Sequence, residues 1–120
     1  DTRPVINQIE LNPFLQQLPI TSFCQAEGIQ LTGYCPLARG RRLDNILLTG
    51  IAEKHGKSPA QVMIWWALQK RQVVIPKSSD PARITQNANI FDFQIGVDEM
   101  VQLDGLDDDY RSCPDPLSMP

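Results

Sequence analysis

Lys77, Ser78 and Arg83 are the residues whose types and spacing point most directly to chemistry. They follow the apolar run Val73–Ile75, which is typical of a strand covered on both faces of a parallel sheet. The dipeptide Asp80–Pro81 then favours a helix start, with an N-cap and a proline at the first helical position. A helix start that adds a lysine, a hydroxyl and an arginine to its free N–H groups matches a phosphate monoester. The same pattern also fits an ordinary strand-to-helix connection with two solvated cations.

Alternating strand and helix patterns would position this segment. Branched apolar runs predict strands, and apolar residues at helical spacing predict helices between and after them. The predicted strands are Val5–Leu11, Ile29–Tyr34 and Val73–Ile75, and the predicted helices cover about 19–28, 45–55, 58–70, 81–88 and 98–106. For the last helix we expect a hydrophobic staple between Val97 and Val101. This order implies a parallel sheet with right-handed crossovers.

Composition limits the class of protein. The 120 residues are 42% hydrophobic and 21% charged, as in one small globular domain. A net charge of −3 and a pI near 5.0 argue against a nucleic-acid partner. No apolar run approaches the roughly 18 residues of a membrane span, and the N-terminus lacks a signal pattern, so we expect a cytoplasmic protein without a membrane partner. The three cysteines lack a C-x-x-C spacing, which argues against a disulfide framework and a zinc site.

Several residues with chemical potential have a structural interpretation. Trp65 and Trp66 lie in a predicted helix and are expected to pack in the core. His55 is expected at the surface, at a helix C-terminus where the helix dipole favours it. The C-terminal tail, residues 107–120, holds three consecutive aspartates and three prolines, so we expect an irregular surface segment in which Asp107–Asp109 is a solvated charge run.

Five segments together resemble the C-terminal portion of the aldo-keto reductases. They are VINQIELNPFLQQ, GIQLTGYCPLARG, IAEKHGKSPAQVMIWWALQ, VVIPKSSDPARITQNANIFDF and LDGLDDDYR. The resemblance implies an α/β fold, a (β/α)8 TIM barrel of which residues 1–120 would form the C-terminal part with strands six to eight. It also implies hydride transfer between a nicotinamide cofactor, usually NADPH, and an aldehyde or ketone.

The resemblance also implies a cofactor site. Gln8, with Asn7 beside it, would bind the nicotinamide carboxamide, and Tyr34 would stack on the nicotinamide ring. The other positions are Cys35, Leu37 and Arg39 at the pyrophosphate, Lys77, Ser78 and Arg83 at the 2′-phosphate, Gln86 and Asn87 at the adenine, and Tyr110 and Cys113 in the substrate pocket. An arginine and a lysine at the 2′-phosphate favour NADP over NAD. The loop arginines, Arg39 included, are also compatible with a solvated surface.

The family's catalytic tetrad of aspartate, tyrosine, lysine and histidine belongs to earlier strands and has no counterpart here. A barrel needs roughly 200 or more residues, so three strands cannot close one. We therefore expect a fragment of a longer reductase, inactive alone and prone to self-association through open sheet edges. The alternatives are a non-catalytic nucleotide-binding or structural remnant of a reductase, and another phosphate-binding barrel.

Overall fold

The structure is a computed structural model, and it describes residues 5–75 and 93–113. In these ranges three parallel strands form one sheet in the order β1-β2-β3. The strands are β1 (Ile6–Glu10), β2 (Gln30–Tyr34) and β3 (Val73–Ile75), and the helices are α1 (Leu18–Ala26), α2 (Ile46–His55), α3 (Pro59–Gln69) and α4 (Val97–Asp104). Helix α1 connects β1 to β2, and α2 and α3 connect β2 to β3. The predicted α/β class with parallel strands is confirmed, while the helix predicted at 81–88 lies outside the described residues.

The register of the sheet decides which side chains share a face. Gln8 pairs with Thr32, Glu10 with Tyr34, and Thr32 in turn with Val73. Since paired residues of parallel strands project to the same side, the sheet has two chemically different faces. The front face carries Ile6, Gln8, Glu10, Gln30, Thr32, Tyr34 and Val73, and the back face carries Asn7, Ile9, Leu31, Gly33 and Val74.

The helices cover the back face. Leu11, Leu31 and Cys24 of α1 are buried together, with Ile9 and Ile29 packed against them. A larger core lies between α2, α3 and α4, and its buried members are Phe14, Ala38, Leu48, Ile51, Ala52, Val62, Met63, Trp66, Ala67, Ile95 and Leu103. The packing role predicted for Trp66 is confirmed, because this residue is 2% exposed. The front face remains largely open on the described part of the chain, with Ile6 60% and Val73 51% exposed.

Local sequence signals set the ends of the helices. Ser58 and Gln61 form the reciprocal capping box of α3, in which Ser58 Oγ accepts from Gln61 N and Gln61 Oε1 accepts from Ser58 N. Asn45 caps α2 through a 3.1 Å bond from Leu48 N to Asn45 Oδ1. Gly56 ends α2 at φ 64°, in the left-handed region that glycine enters at little cost.

The staple predicted for α4 is wrong. Val97 and Val101 are 81% and 64% exposed. The helix begins one residue earlier than predicted, at a Gly96 N-cap whose N–H donates to Glu99 Oε1. Ile95, the residue before the N-cap, packs in the larger core instead. None of the described helices combines the length and the apolar character that a bilayer crossing requires.

The C-terminal segment, residues 107–113, has neither helix nor strand but is bound to the domain. The N–H groups of Asp108 and Tyr110 both donate to Phe14 O, at 3.2 and 3.0 Å. Asp107 Oδ1 accepts from Gln16 N at 3.3 Å, and Asp108 forms a 3.0 Å ion pair with Arg42. Asp108 and Asp109 are exposed, as a solvated charge run implies, whereas the half-buried Asp107 departs from that prediction because its carboxylate accepts from backbone N–H groups.

Candidate functional site

Polar side chains collect on the front face, toward the carboxyl ends of β1 and β2. Gln8 is exposed and pairs with Thr32, while Tyr34 is half-buried at the end of β2. Ligands of parallel α/β folds bind beyond the carboxyl ends of the strands, where loops and strand ends can present polar groups. Gln8 and Tyr34 are thus brought to one surface, with an amide and an aromatic ring available to a ligand.

Asn7 does not join them. Its side chain is on the back face, where Asn7 Nδ2 lies 3.6 Å from Cys24 Sγ of α1. Consecutive strand residues project to opposite faces, so Asn7 and Gln8 cannot serve one ligand from within β1. The period of two along a strand was a sequence signal for this separation.

The loop after β2 holds three of the predicted cofactor residues. Cys35 (φ 51°), Ala38 (φ 50°) and Arg39 (φ 55°) all adopt left-handed backbone conformations, which side-chain-bearing residues rarely do. Cys35 O accepts a 3.2 Å bond from Asn12 Nδ2, which fixes the first peptide of the loop. Arg39 is exposed, whereas the side chain of Leu37 packs against the larger core. Leu37 therefore offers a ligand mainly its backbone.

Tyr110 lies over this loop from the C-terminal segment. The guanidinium carbon of Arg42 is 3.9 Å from the centroid of the Tyr110 ring and 5.4 Å from that of Phe14. Arg42 also carries the ion pair to Asp108. One arginine thus ties the loop to the segment predicted to form the substrate pocket, a role that sequence reasoning missed because Arg42 is far in the chain from both Phe14 and this segment.

Glu10 is a second residue that the predicted site does not include. Its side chain is fully buried at the end of β1 and accepts from Ser112 N at 2.9 Å, Ser112 Oγ at 2.5 Å and Cys113 N at 3.2 Å. A buried carboxylate needs such donors, because burial without hydrogen bonds is costly. The signal was a charged residue at the carboxyl end of a predicted strand. Glu10 fixes the end of the C-terminal segment to the sheet.

Cys35 and Cys113 form a disulfide across 78 residues of sequence. The sequence predicted no disulfide framework and gave no indication of this single bond, whose two half-cystines both belong to predicted site segments. Spacing along the chain gave no hint of this pair, because the two residues meet only through the fold. Cys24 is a free, buried thiol. One potential metal-ligand atom from each of Glu10, Cys35 and Cys113 lies within 4.8 Å of the other two. These atoms are already engaged, because the two sulfurs are bonded to each other and the carboxylate accepts three hydrogen bonds.

The remaining predicted residues are outside the described ranges. Lys77, Ser78, Arg83, Gln86 and Asn87 belong to this group, as does the predicted helix start at Asp80–Pro81. Their assignments to the 2′-phosphate and the adenine stay predictions.

Comparisons with known proteins agree with the fold and the motifs. The profile of the Aldo/keto reductase family matches residues 1–108. Over 116 residues the chain is 46% identical to the glyoxal reductase of Bacillus subtilis, covering 97% of this chain and 42% of that protein. It is 45% identical to aldose reductase B of Dictyostelium discoideum over 113 residues, covering 92% of this chain and 36% of the relative.

A solved structure gives the same picture. The crystal structure of a Gox0644 mutant in complex with NADPH superposes with a TM-score of 0.93 at 39% identity, covering 99% of this chain and 44% of that one. The chain thus spans less than half the length of each of these three proteins. The expected partial (β/α)8 barrel is confirmed by this likeness. On the family match and these identities, the chain belongs to the aldo/keto reductase family.

Proposed function

We propose that this chain is the C-terminal portion of an NADPH-dependent aldehyde or ketone reductase, with β1 to β3 as strands six to eight of the barrel. The proposal is supported by the order of its motifs and by relatives that include a glyoxal reductase and an NADPH complex. The observation that carries it is the arrangement of Gln8 and Tyr34, on adjacent strands and on one open face. We further propose a cytoplasmic protein whose partners are small carbonyl compounds, with no nucleic-acid or membrane partner.

The described residues suit the nicotinamide end of the cofactor. The Gln8 amide both donates and accepts, as a carboxamide requires. The half-buried ring of Tyr34 can stack on one face of a flat heterocycle and leave the other to the substrate. NADPH, when bound, would supply the hydride. The role of Gln8 and Tyr34 is then to fix the distance and the face from which transfer occurs. The back-face contact of Asn7 with Cys24 gives its predicted cofactor role no support.

The other proposed site residues would contact the rest of the cofactor and the substrate. Cys35, Leu37 and Arg39 would follow the pyrophosphate along the loop after β2, with backbone groups and the exposed Arg39 as contacts. Lys77, Ser78 and Arg83 would hold the 2′-phosphate, and Gln86 and Asn87 the adenine. Tyr110 and Cys113, held beside the loop by Arg42 and Glu10, would border the substrate pocket.

Proton transfer is the step that these residues do not provide. Carbonyl reduction needs a general acid at the developing alkoxide, and we propose that it comes from the tetrad on the earlier strands. The isolated 120-residue chain should therefore not oxidise NADPH with a reactive aromatic aldehyde. Clear turnover by the purified chain would contradict this part of the proposal.

Paired cofactor titrations of the complete protein test the site. Replacing Arg83 with Ala should lower the affinity for NADPH by roughly 10- to 100-fold, the equivalent of one charged hydrogen bond, and leave the affinity for NADH nearly unchanged. Tyr34→Leu should lower the affinity for both cofactors, because both contain the nicotinamide. The matched control is Arg71→Gln, an exposed arginine at the opposite end of the sheet. Equal losses of NADPH and NADH in Arg83→Ala would contradict the 2′-phosphate assignment. NADPH binding without aldehyde-dependent oxidation by the complete protein would favour the non-catalytic alternative.

A further inference from the structure

The Cys35–Cys113 bond joins two segments to which the proposed function gives different tasks. Cys35 is the first residue after β2 and directly follows Tyr34, the proposed stacking residue. Cys113 ends the described C-terminal segment, which borders the proposed substrate pocket. A single covalent bond therefore links the cofactor loop to the segment beside the substrate.

The contacts around this bond leave the end of the segment dependent on it. Residues 107–110 are attached through Phe14 O and the Arg42–Asp108 ion pair, and Arg111 Nη2 donates to Gln17 Oε1 at 3.1 Å. Ser112 and Cys113 are held by the hydrogen bonds to Glu10 and by the disulfide. Hydrogen bonds open and close in local fluctuations, whereas the covalent bond does not. Reduction would leave only reversible contacts at this end of the segment.

The loop also depends on its surroundings. Cys35, Ala38 and Arg39 occupy left-handed conformations that persist only where neighbouring contacts impose them. For Cys35 these contacts include the disulfide and two hydrogen bonds to its carbonyl oxygen, from Asn12 Nδ2 and from Ala38 N. Removing the disulfide would free the residue that follows Tyr34 to relax.

The exposure of the three cysteines makes the response selective. Cys35 and Cys113 are partly exposed, so a reductant can reach them, whereas Cys24 is a thiol outside any disulfide and only 2% exposed. Disulfides of proteins in reducing compartments are usually transient or redox-sensing. The pair has the accessibility that such a role requires.

We propose that the Cys35–Cys113 disulfide is a redox-controlled lock on the cofactor site. The oxidised form holds the C-terminal segment against the loop after β2 and slows the exchange of the cofactor. The reduced form lets residues 111–113 open and speeds that exchange. The part concerning the cofactor rests on the function proposed above, while the opening of the segment does not.

The chemistry is thiol–disulfide exchange with an external dithiol. A thiolate of the dithiol attacks one sulfur of the pair, forms a mixed disulfide and releases the other sulfur, which takes up a proton. The second thiol of the reductant then displaces the remaining protein sulfur. Two electrons and two protons pass to the protein, leaving two cysteine thiols and a cyclic disulfide on the reductant.

The test compares the complete protein with and without dithiothreitol. Alkylation followed by intact-mass measurement should show a gain of two modified cysteines on reduction. Amide hydrogen exchange of the peptide that covers 111–113 should accelerate on reduction. NADPH dissociation, followed by stopped-flow fluorescence, should become roughly five- to tenfold faster, which is within the usual range of coupling between sites.

Two variants complete the design. Cys113→Ser should behave as the reduced protein does and should no longer respond to dithiothreitol, while Cys24→Ala should keep the full response. If Cys113→Ser does not fold, the wild type in its two redox states still decides. Alkylation of Cys35 and Cys113 without reductant, or unchanged exchange at 111–113, would overturn the lock. Unchanged NADPH dissociation alongside faster amide exchange would overturn the regulatory role. An absence of NADPH binding in both forms, with the exchange difference intact, would instead reject the proposed function.

Discussion

At the scale of single residues, the buried Glu10 carboxylate outweighs the more visible ion pair on the same segment. Arg42 and Asp108 have side chains 32% and 48% exposed, and such a pair contributes about 0 to 1 kcal/mol. Glu10 is fully buried and accepts three hydrogen bonds from Ser112 and Cys113. Because hydrogen bonds to a buried charge are worth more than a solvated pair, Glu10 is the stronger noncovalent anchor of the C-terminal segment.

Replacing Glu10 with Gln should lower the free energy of unfolding by about 1.5 to 3 kcal/mol. The glutamine keeps the shape of the side chain but turns an NH2 group toward backbone donors. Urea unfolding followed by tryptophan fluorescence measures the change. Glu53→Gln, on the exposed surface of α2, is the matched control and should change stability by less than about 0.5 kcal/mol. Equal stabilities of the two variants would contradict the anchoring role.

At the scale of elements, one glutamate connects two helices. Glu99 of α4 accepts from His55 Nε2 at 2.9 Å and from Gly96 N at 3.0 Å, and Lys54 Nζ is 3.7 Å away. Burial raises the pKa of Glu99, but the hydrogen bonds from His55 and Gly96 and the charges nearby outweigh it, so its pKa lies below 4.5. His55 ends α2 as predicted, yet it is half-buried and packs 5.6 Å from the Phe93 ring rather than lying at the surface.

This lowered pKa makes the junction of α2 and α4 sensitive to acid. A carboxyl group whose folded pKa is depressed stabilises the protein above its unfolded pKa, and that contribution is lost as pH falls through the folded pKa. The wild type should therefore exceed Glu99→Gln in stability at pH 6, by on the order of 1 kcal/mol. The difference should shrink as pH falls below about 4.5. Urea unfolding across this range measures it. A difference independent of pH would contradict the assignment, and Glu53→Gln again serves as control.

The capping box of α3 makes a separate prediction at the same scale. Ser58→Ala removes the acceptor for Gln61 N at a helix start with free N–H groups. We expect a loss of about 1 kcal/mol in the free energy of unfolding. Thr49→Ala removes an exposed hydroxyl whose bond to Ile46 O is not a cap, and it should have a smaller effect. Thermal unfolding of both variants gives the comparison.

At the scale of the whole molecule, the described sheet has an uncovered face and two edge strands. Strands β1 and β3 each pair on one side only, and the front face exposes Ile6 and Val73. Unpaired strand edges beside exposed apolar residues favour pairing with another chain. The 120-residue chain by itself should therefore self-associate in a concentration-dependent way.

Sedimentation velocity over a range of concentrations tests this expectation. The double variant Ile6→Lys and Val73→Lys should shift the distribution toward monomer, because it places charges on the front face. Val101→Lys, at an exposed apolar position of α4, adds a charge elsewhere and should leave association unchanged. A strictly monomeric, folded wild-type chain would contradict the self-association.

Local order was predictable from the sequence. The strand β3 has the predicted bounds, β1 and β2 differ from prediction by a residue at their ends, and the caps at Asn45, Gly56 and Ser58 set the ends of α2 and α3. These features depend on residues within a few positions of one another. The parallel order also followed, since strands that alternate with helices leave few other topologies. The placement of Asn7 and Gln8 on opposite faces of the sheet was also predictable, because side chains alternate between the two faces along a strand.

The tertiary structure alone decided which distant residues meet. The pairing of Cys35 with Cys113, the donors around Glu10 and the stacking of Arg42 on Tyr110 all depend on the path of the C-terminal segment over the sheet. That path follows from the packing of α4 against the larger core, which involves residues throughout the chain. No local pattern encodes such a path, because the free energy that selects it is a sum over the whole core. The sequence by itself thus determined the family, the elements and the candidate residues, and the fold determined their partners.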